Sequence, residues 1–374
     1  MQVVLTCDIN RSEMKIIRIF NLLTYGLKMK KISLSKTALS LVAGIVGLTS
    51  FNMNANAAEE VNIYSYRKEV LIRPLLDRFT ENTGIKVNLV NGKADVLLER
   101  LKSEGMNSPA DILITADVGR LIRAEDAGVL QSVESDTLSK LIPAQYRDPK
   151  GQWFGLSLRS RVIFTAKDRV KPGEISTYED LADPKWANRI CIRSSGNIYN
   201  QSLLGSLIEH NGKENAATWT KAVVDNLARK PQGGDRDQIK AVAAGECDVA
   251  VGNTYYFGRM QAGKDAGEKA AADKVELVWP NQEGRGAHVN ISGAGVTKSA
   301  KNKENAVKLI EFLASDEAQA IYAKDVFEYP LRDGIELSPT VAAWGKFKAD
   351  DIELAKFAAH QKEAVKMFDQ AGWR

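Results

Sequence analysis

The chain has 374 residues, 44% of them hydrophobic and 26% charged, an ordinary globular composition with length enough for two packed cores. The formal net charge of +4 comes from the first 57 residues, which hold seven Lys/Arg and two acids; without them the balance falls to about −1. A polyanion-binding role, nucleic acid included, then loses its compositional support.

Those first residues read as an export leader. Lys28, Lys30 and Lys31 precede the apolar segment Leu39 to Leu48, and Ala55-Asn56-Ala57 closes it. A basic region, a short hydrophobic region and a small-x-small site make a secretory signal peptide. The apolar segment is too short to span a bilayer. Translation is expected to start at Met29 or Met14, with residues 1–28 an over-extended start, and cleavage is expected after Ala57. No cysteine stands beside that site to carry a lipid anchor. The mature chain is expected in the periplasm, without membrane insertion.

Beyond the leader, short β-like runs alternate with helical patterns. "VNIYSY" (Val61–Tyr66) reads as a strand, and "EVLIRPLLDRFTENTG" as a helix stopping at Gly84. "IKVNLV" and "ADVLLERLKSEG" repeat the pair, as do "ADILITAD" and "VGRLIRAEDAGVL". That rhythm predicts βαβ units and a parallel sheet. A long extended stretch, Trp153–Val170, breaks it, and "STYEDLADPKWA" follows as a predicted helix capped by Ser176 or Thr177. A second α/β series comes next: "RICIRSS", a helix near "YNQSLLGSLIEHNG", a polar helix with Trp219, and "GDRDQIKAVAAGECDVAVGNTYY". "AHVNISGAGVTKSA" is extended again, "KENAVKLIEFLASDEAQAIYAKD" is helical, and the last forty residues read as helical.

Two extended stretches bracketing the second series suggest two α/β lobes joined by a pair of crossing strands, with a cleft between them and a hinge. The expected division is a leader at 1–57, an N-terminal lobe from 58–156 plus 288–330, and a C-terminal lobe from 157–287 plus 331–374. Ligands of open α/β sheets sit beyond the carboxyl ends of strands. Those ends concentrate tyrosine: Tyr64 and Tyr66, then Tyr199, then Tyr255 and Tyr256.

A single tyrosine in a pocket is most often an aromatic with its hydroxyl satisfied. Two side by side at a strand end cannot both enter one core, because neighbours on an extended chain face opposite ways. A turn at Gly252-Asn253 would aim both at the cleft. Several phenols suit a hard, highly charged cation that can displace their protons. Three phenolates match Fe(III) in charge, whereas calcium favours carboxylates and carbonyls. Aromatic stacking on a sugar, amino acid or polyamine is the rival chemistry. His210, His288 and His360 are scattered without zinc-type spacing. Cys191 and Cys247 border short apolar runs and form either one disulfide or two buried thiols. An enzyme reading has poor support: no G-x-S-x-G elbow and no paired-carboxylate motif stand out.

Residues 59–345 resemble the ferric-iron-binding periplasmic proteins of bacterial ABC importers, the iron-deficiency-induced protein A type. The matching segments are "VNIYSYRKEVLIRPLLDRFTENTGIKVN", "SPADILITADVGRL", "RSRVIFTAKDRV", "IRSSGNIYNQSL", "GECDVAVGNTYYFGRM", "HVNISGAGV" and "FEYPL". The resemblance implies a type II periplasmic binding protein, monomeric, that hands Fe(III) to an ABC permease and its ATPase. By motif it makes Tyr199, Tyr255 and Tyr256 the metal ligands. The family's first-loop histidine modes fail, since Arg67, Lys68, Glu69 and Ala116 stand at those places. The remaining solution completes the shell with carbonate, another small anion or water.

Arg67 can then hold an anion by two parallel hydrogen bonds, or else pair with Glu69 on the surface, and Lys68 can share the anion's charge. Tyr66 either donates to the ligand shell from outside or packs in its lobe. Arg159 and Arg161, on the crossing strand, either reach the cleft or brace the hinge. Asn197 and Gln201 flank Tyr199 and can orient it.

Overall fold

The computed structural model describes residues 59–374; the expected leader and its cleavage site lie outside them. Among the described residues no helix is long and apolar enough to cross a membrane. Eight strands form one curled sheet: β1 (Glu60–Ser65), β2 (Lys86–Asn91), β3 (Ile112–Ala116), β4 (Phe154–Ala166), β5 (Ile190–Cys191), β6 (Val249–Asn253), β7 (Val275–Val278) and β8 (Val289–Val296). Their order is β2-β1-β3-β8-β4-β6-β5, with β7 on β4. The expected parallel pairs form, β1 with β2 and β3, and β5 with β6, while β8 runs antiparallel to both β3 and β4.

Local chemistry accounts for the first units. The helix Glu69–Thr83 buries Leu71, Ile72, Leu75, Leu76 and Phe79, one stripe at helical spacing. It ends where Gly84 adopts φ 74° and donates its N–H to Thr80 O, a conformation costly for a residue with a Cβ. The next helix, Ala94–Glu104, stops at Gly105, which takes φ 53° and donates its N–H to Leu101 O. Burying each large apolar side chain of such a stripe contributes roughly 1.5–3 kcal/mol.

β4 joins the two halves. Its residues from Phe154 to Ser160 pair with β8, and those from Arg161 onward pair with β6 and β7. The chain returns beside it, where Arg161 N donates to His288 O just before β8 begins. Separate apolar clusters lie on either side of this crossing. One gathers Ile63, Phe79, Leu113 and Leu309; the others gather Trp186, Leu204, Trp219 and Phe368, and Phe164, Phe257 and Met260.

Two expectations fail locally. "STYEDLADPKWA" makes only 3-10 turns at Glu179–Ala182 and Pro184–Trp186. Pro184 drives Asp183 out of the helical region, and Thr177 caps a single turn by accepting from Asp180 N. The last forty residues hold three helices, Pro339–Ala342, Leu354–Ala359 and Gln361–Ala371, with irregular chain between the first two. Cys191 and Cys247 are joined in a disulfide.

Candidate metal centre

Three strand ends converge. After β1 the chain passes through Tyr66, Arg67 and Lys68 before the helix Glu69–Thr83. Tyr66 N donates to Ile114 O and Arg67 N to Ser65 Oγ, which fixes the loop against β3. After β5, Asn197 caps the helix Ile198–Asn211 by accepting from Asn200 N, and Tyr199 sits in its first turn. β6 runs through Gly252 and Asn253, and the helix Thr254–Ala262 begins at once. The expected turn at Gly252-Asn253 is therefore absent. A helix start does the same work, because consecutive side chains there fan over one end of the axis instead of opposing one another.

Tyr66, Tyr199, Tyr255 and Tyr256 line one open cleft with Arg67, Lys68, Ala116, Arg236 and Arg259. The rings of Tyr255 and Tyr256 lie 4.2 Å apart at an interplanar angle of 32°. Tyr199 and Tyr255 are 7% and 5% exposed. Burial pushes the pKa of all three motif tyrosines up, and mutual proximity of the phenols adds to it for Tyr255 and Tyr256. Three phenols that resist ionisation alone, held together, could hold a hard cation whose charge would favour their phenolate forms. Among the described residues no group of three or more His, Cys, Asp or Glu gathers as an alternative cluster.

Arg67 is buried, not on the surface, and it does not pair with Glu69, which takes Arg73 instead. Its Nη1 donates to Glu328 Oε1 at 2.7 Å and to Ser292 Oγ. Its Nε and Nη2 are buried without a partner. Those two N–H groups form the side-on fork of a guanidinium, the geometry that grips an oxyanion. Burial raises the pKa of Glu328, but Arg67 and Arg159 outweigh it and bring the carboxyl down to about 2.

Arg159 joins the same carboxylate at 3.1 Å, and its guanidinium carbon stands 5.9 Å from the Tyr255 ring centre. Arg161 turns the other way. It donates to Asp235 Oδ1 and Asn253 Oδ1, each at 3.0 Å, and to Asn200 Oδ1 at 2.5 Å. Asn200 follows Tyr199 and Asn253 precedes Thr254, so one buried cation fixes the starts of both tyrosine-bearing helices. Asp117, at the end of β3 with φ 82°, accepts from Ser202 Oγ at 2.8 Å, one helical turn beyond Tyr199.

Asn197 and Gln201 do not act as expected: Asn197 caps the backbone and Gln201 Nε2 donates to Ser195 O. They order the helix start that carries Tyr199, not its hydroxyl. Arg236, Arg259 and Glu328 were missed. Glu328 lies inside "FEYPL", but nothing local marks it as the partner of Arg67, 261 residues away.

Residues 107–352 match the model of the bacterial extracellular solute-binding protein family. Among curated relatives, Iron uptake protein A1 of Synechocystis sp. is 49% identical over 346 residues, 90% of this chain and 96% of the relative. A solved Trichodesmium protein (IdiA/FutA), in complex with iron and citrate, is 49% identical with TM-score 0.81, covering 84% of this chain and all of that one. Apo FutA2 from Synechocystis superposes with TM-score 0.79 at 42% identity, covering 85% of this chain and 100% of that one. The expected two-lobed type II α/β fold is the one these structures share. The chain belongs to the bacterial extracellular solute-binding protein family, with relatives named for iron uptake and ferric binding.

Proposed function

We propose that this chain is a periplasmic receptor that captures Fe(III) and delivers it to an ABC permease driven by its ATPase. The convergence of Tyr199, Tyr255 and Tyr256 in one cleft is the observation that supports it. Each phenol gives up its proton to become a phenolate, and three phenolates offset the charge of the metal. The receptor is monomeric and needs no catalysis. A relative carries the name Fe(3+)-binding periplasmic protein, which agrees with this reading.

Tyr66 shares the cleft and lies near enough that its charge would raise the pKa of Tyr199, so it is a fourth oxygen available to the metal. The unpartnered fork of Arg67, with Lys68 beside it, offers a seat for carbonate or another small oxyanion that completes the shell. The Trichodesmium relative, solved with citrate as well as iron, is consistent with an anion there. Addition of ferric iron from a weak chelator should give a visible phenolate-to-iron charge-transfer band. A protein that stays colourless and takes up no iron would overturn the assignment.

A further inference from the structure

Beside Tyr199 lies a second, smaller void, walled by Asp117, Arg159, Arg161, Tyr199, Asn253, His288 and Asn290. It has room for one atom-sized guest. Tyr199 lines both this void and the cleft.

The wall is rich in donors. Arg159 Nε and Nη1, Arg161 Nε and Asn253 Nδ2 are buried N–H groups with no partner, and His288 Nδ1 is unpartnered too. The acceptors are mostly spent. Asn290 Oδ1 takes the N–H groups of Val118 and Ile291, and Asn253 Oδ1 takes Arg161. The carboxylate of Asp117 is surrounded by its own donors, Ser202 Oγ, Asn290 Nδ2 and Gly119 N. A water molecule accepts two hydrogen bonds and must place two of its own protons, for which the wall's open acceptor is a ring nitrogen of His288. An anion accepts from every side. The charge around the void agrees: Arg67 and Arg159 share Glu328, and Arg161 and Arg193 share Asp235, so with Asp117 in the wall four guanidiniums meet three carboxylates, and of these four cations Arg193 alone reaches solvent appreciably.

We propose that this void binds a single halide-sized anion, chloride in its native medium, held by Arg159, Arg161 and Asn253 where β4 crosses between the lobes. The guest satisfies donors that otherwise carry the full cost of burial. It also backs the ring of Tyr199, so that the ring cannot swing away from the cleft. The site stands apart from the reading of the cleft: it depends on the crossing strand, not on iron.

The test is a crystal of the whole mature protein soaked in sodium bromide, with data collected at the bromine edge. An anomalous peak enclosed by Arg159, Arg161 and Asn253 is expected, and it should vanish in Asn253→Asp, which keeps the acceptor used by Arg161 but replaces the free N–H with a carboxylate oxygen. A water or an empty void in the wild-type crystal overturns the proposal without recourse to any variant. A peak that persists unchanged in Asn253→Asp overturns it as well.

Discussion

Arg67 and Glu328 form an ion pair at 2.7 Å with side-chain exposures of 4% and 0%. Glu328 also accepts from Arg159 and Ser157, while Ser292 of β8 accepts from both Arg67 and Arg159. One carboxylate thus compensates two buried guanidiniums beside the cleft.

Glu328→Gln should therefore destabilise the protein by about 3–5 kcal/mol, because it strands buried positive charge instead of removing a pair. Thermal unfolding of the metal-free protein measures it. A loss below about 1 kcal/mol, the range of exposed pairs, would show that the pair is solvated.

Acid should weaken the fold in two stages. The His288 pKa is brought down from 6.5 to about 3, chiefly by burial and then by Arg161 and Arg285, so below pH 6.5 the unfolded chain binds a proton that the native chain does not. Glu328, lowered from 4.5 to about 2, adds stability that is complete above 4.5 and drains away as the pH falls through about 2. Both signs are the same, so denaturant midpoints should fall steadily from pH 6.5 downward. His288→Gln should flatten the upper stage and leave the lower one.

Tyr256→Phe and Tyr199→Phe should each lose or shift the charge-transfer band and weaken ferric iron by at least tenfold in competition with a chelator. Tyr66→Phe separates two roles. A shifted band means that the fourth oxygen reaches the metal; an unchanged band with weaker uptake assigns it to the surroundings, where Arg120 already covers its ring at 4.0 Å.

Arg67→Lys keeps a cation near Glu328 and removes the side-on fork. Iron binding should then lose its dependence on added bicarbonate or citrate, while the band from the tyrosines remains. Equal dependence in both proteins would place the anion elsewhere.

Much of this was legible in the chain. Glycines at 84 and 105 mark two helix ends, and the apolar runs of β1, β3 and β6 announce buried strands, because those signals are local. The tyrosines were readable because strand ends line the cleft of this fold. Arg161 was not. Its role depends on Asn200, Asp235 and Asn253 arriving together from 39, 74 and 92 residues away, which no local pattern encodes. The aromatic and charged run at 176–187 misled for the converse reason: helical spacing was present, but Pro184 forbade the backbone.

The disulfide has a consequence for maturation. Cys191 precedes Tyr199 by eight residues, and Cys247 precedes Tyr255 by eight, so the bond clasps the two neighbouring strands at equal distance from the oxygens they deliver. Such a clasp closes in an oxidising compartment and stays open in a reducing one. For the exported receptor proposed above, a chain still in a reducing compartment would lack that covalent staple between the two tyrosine-bearing segments.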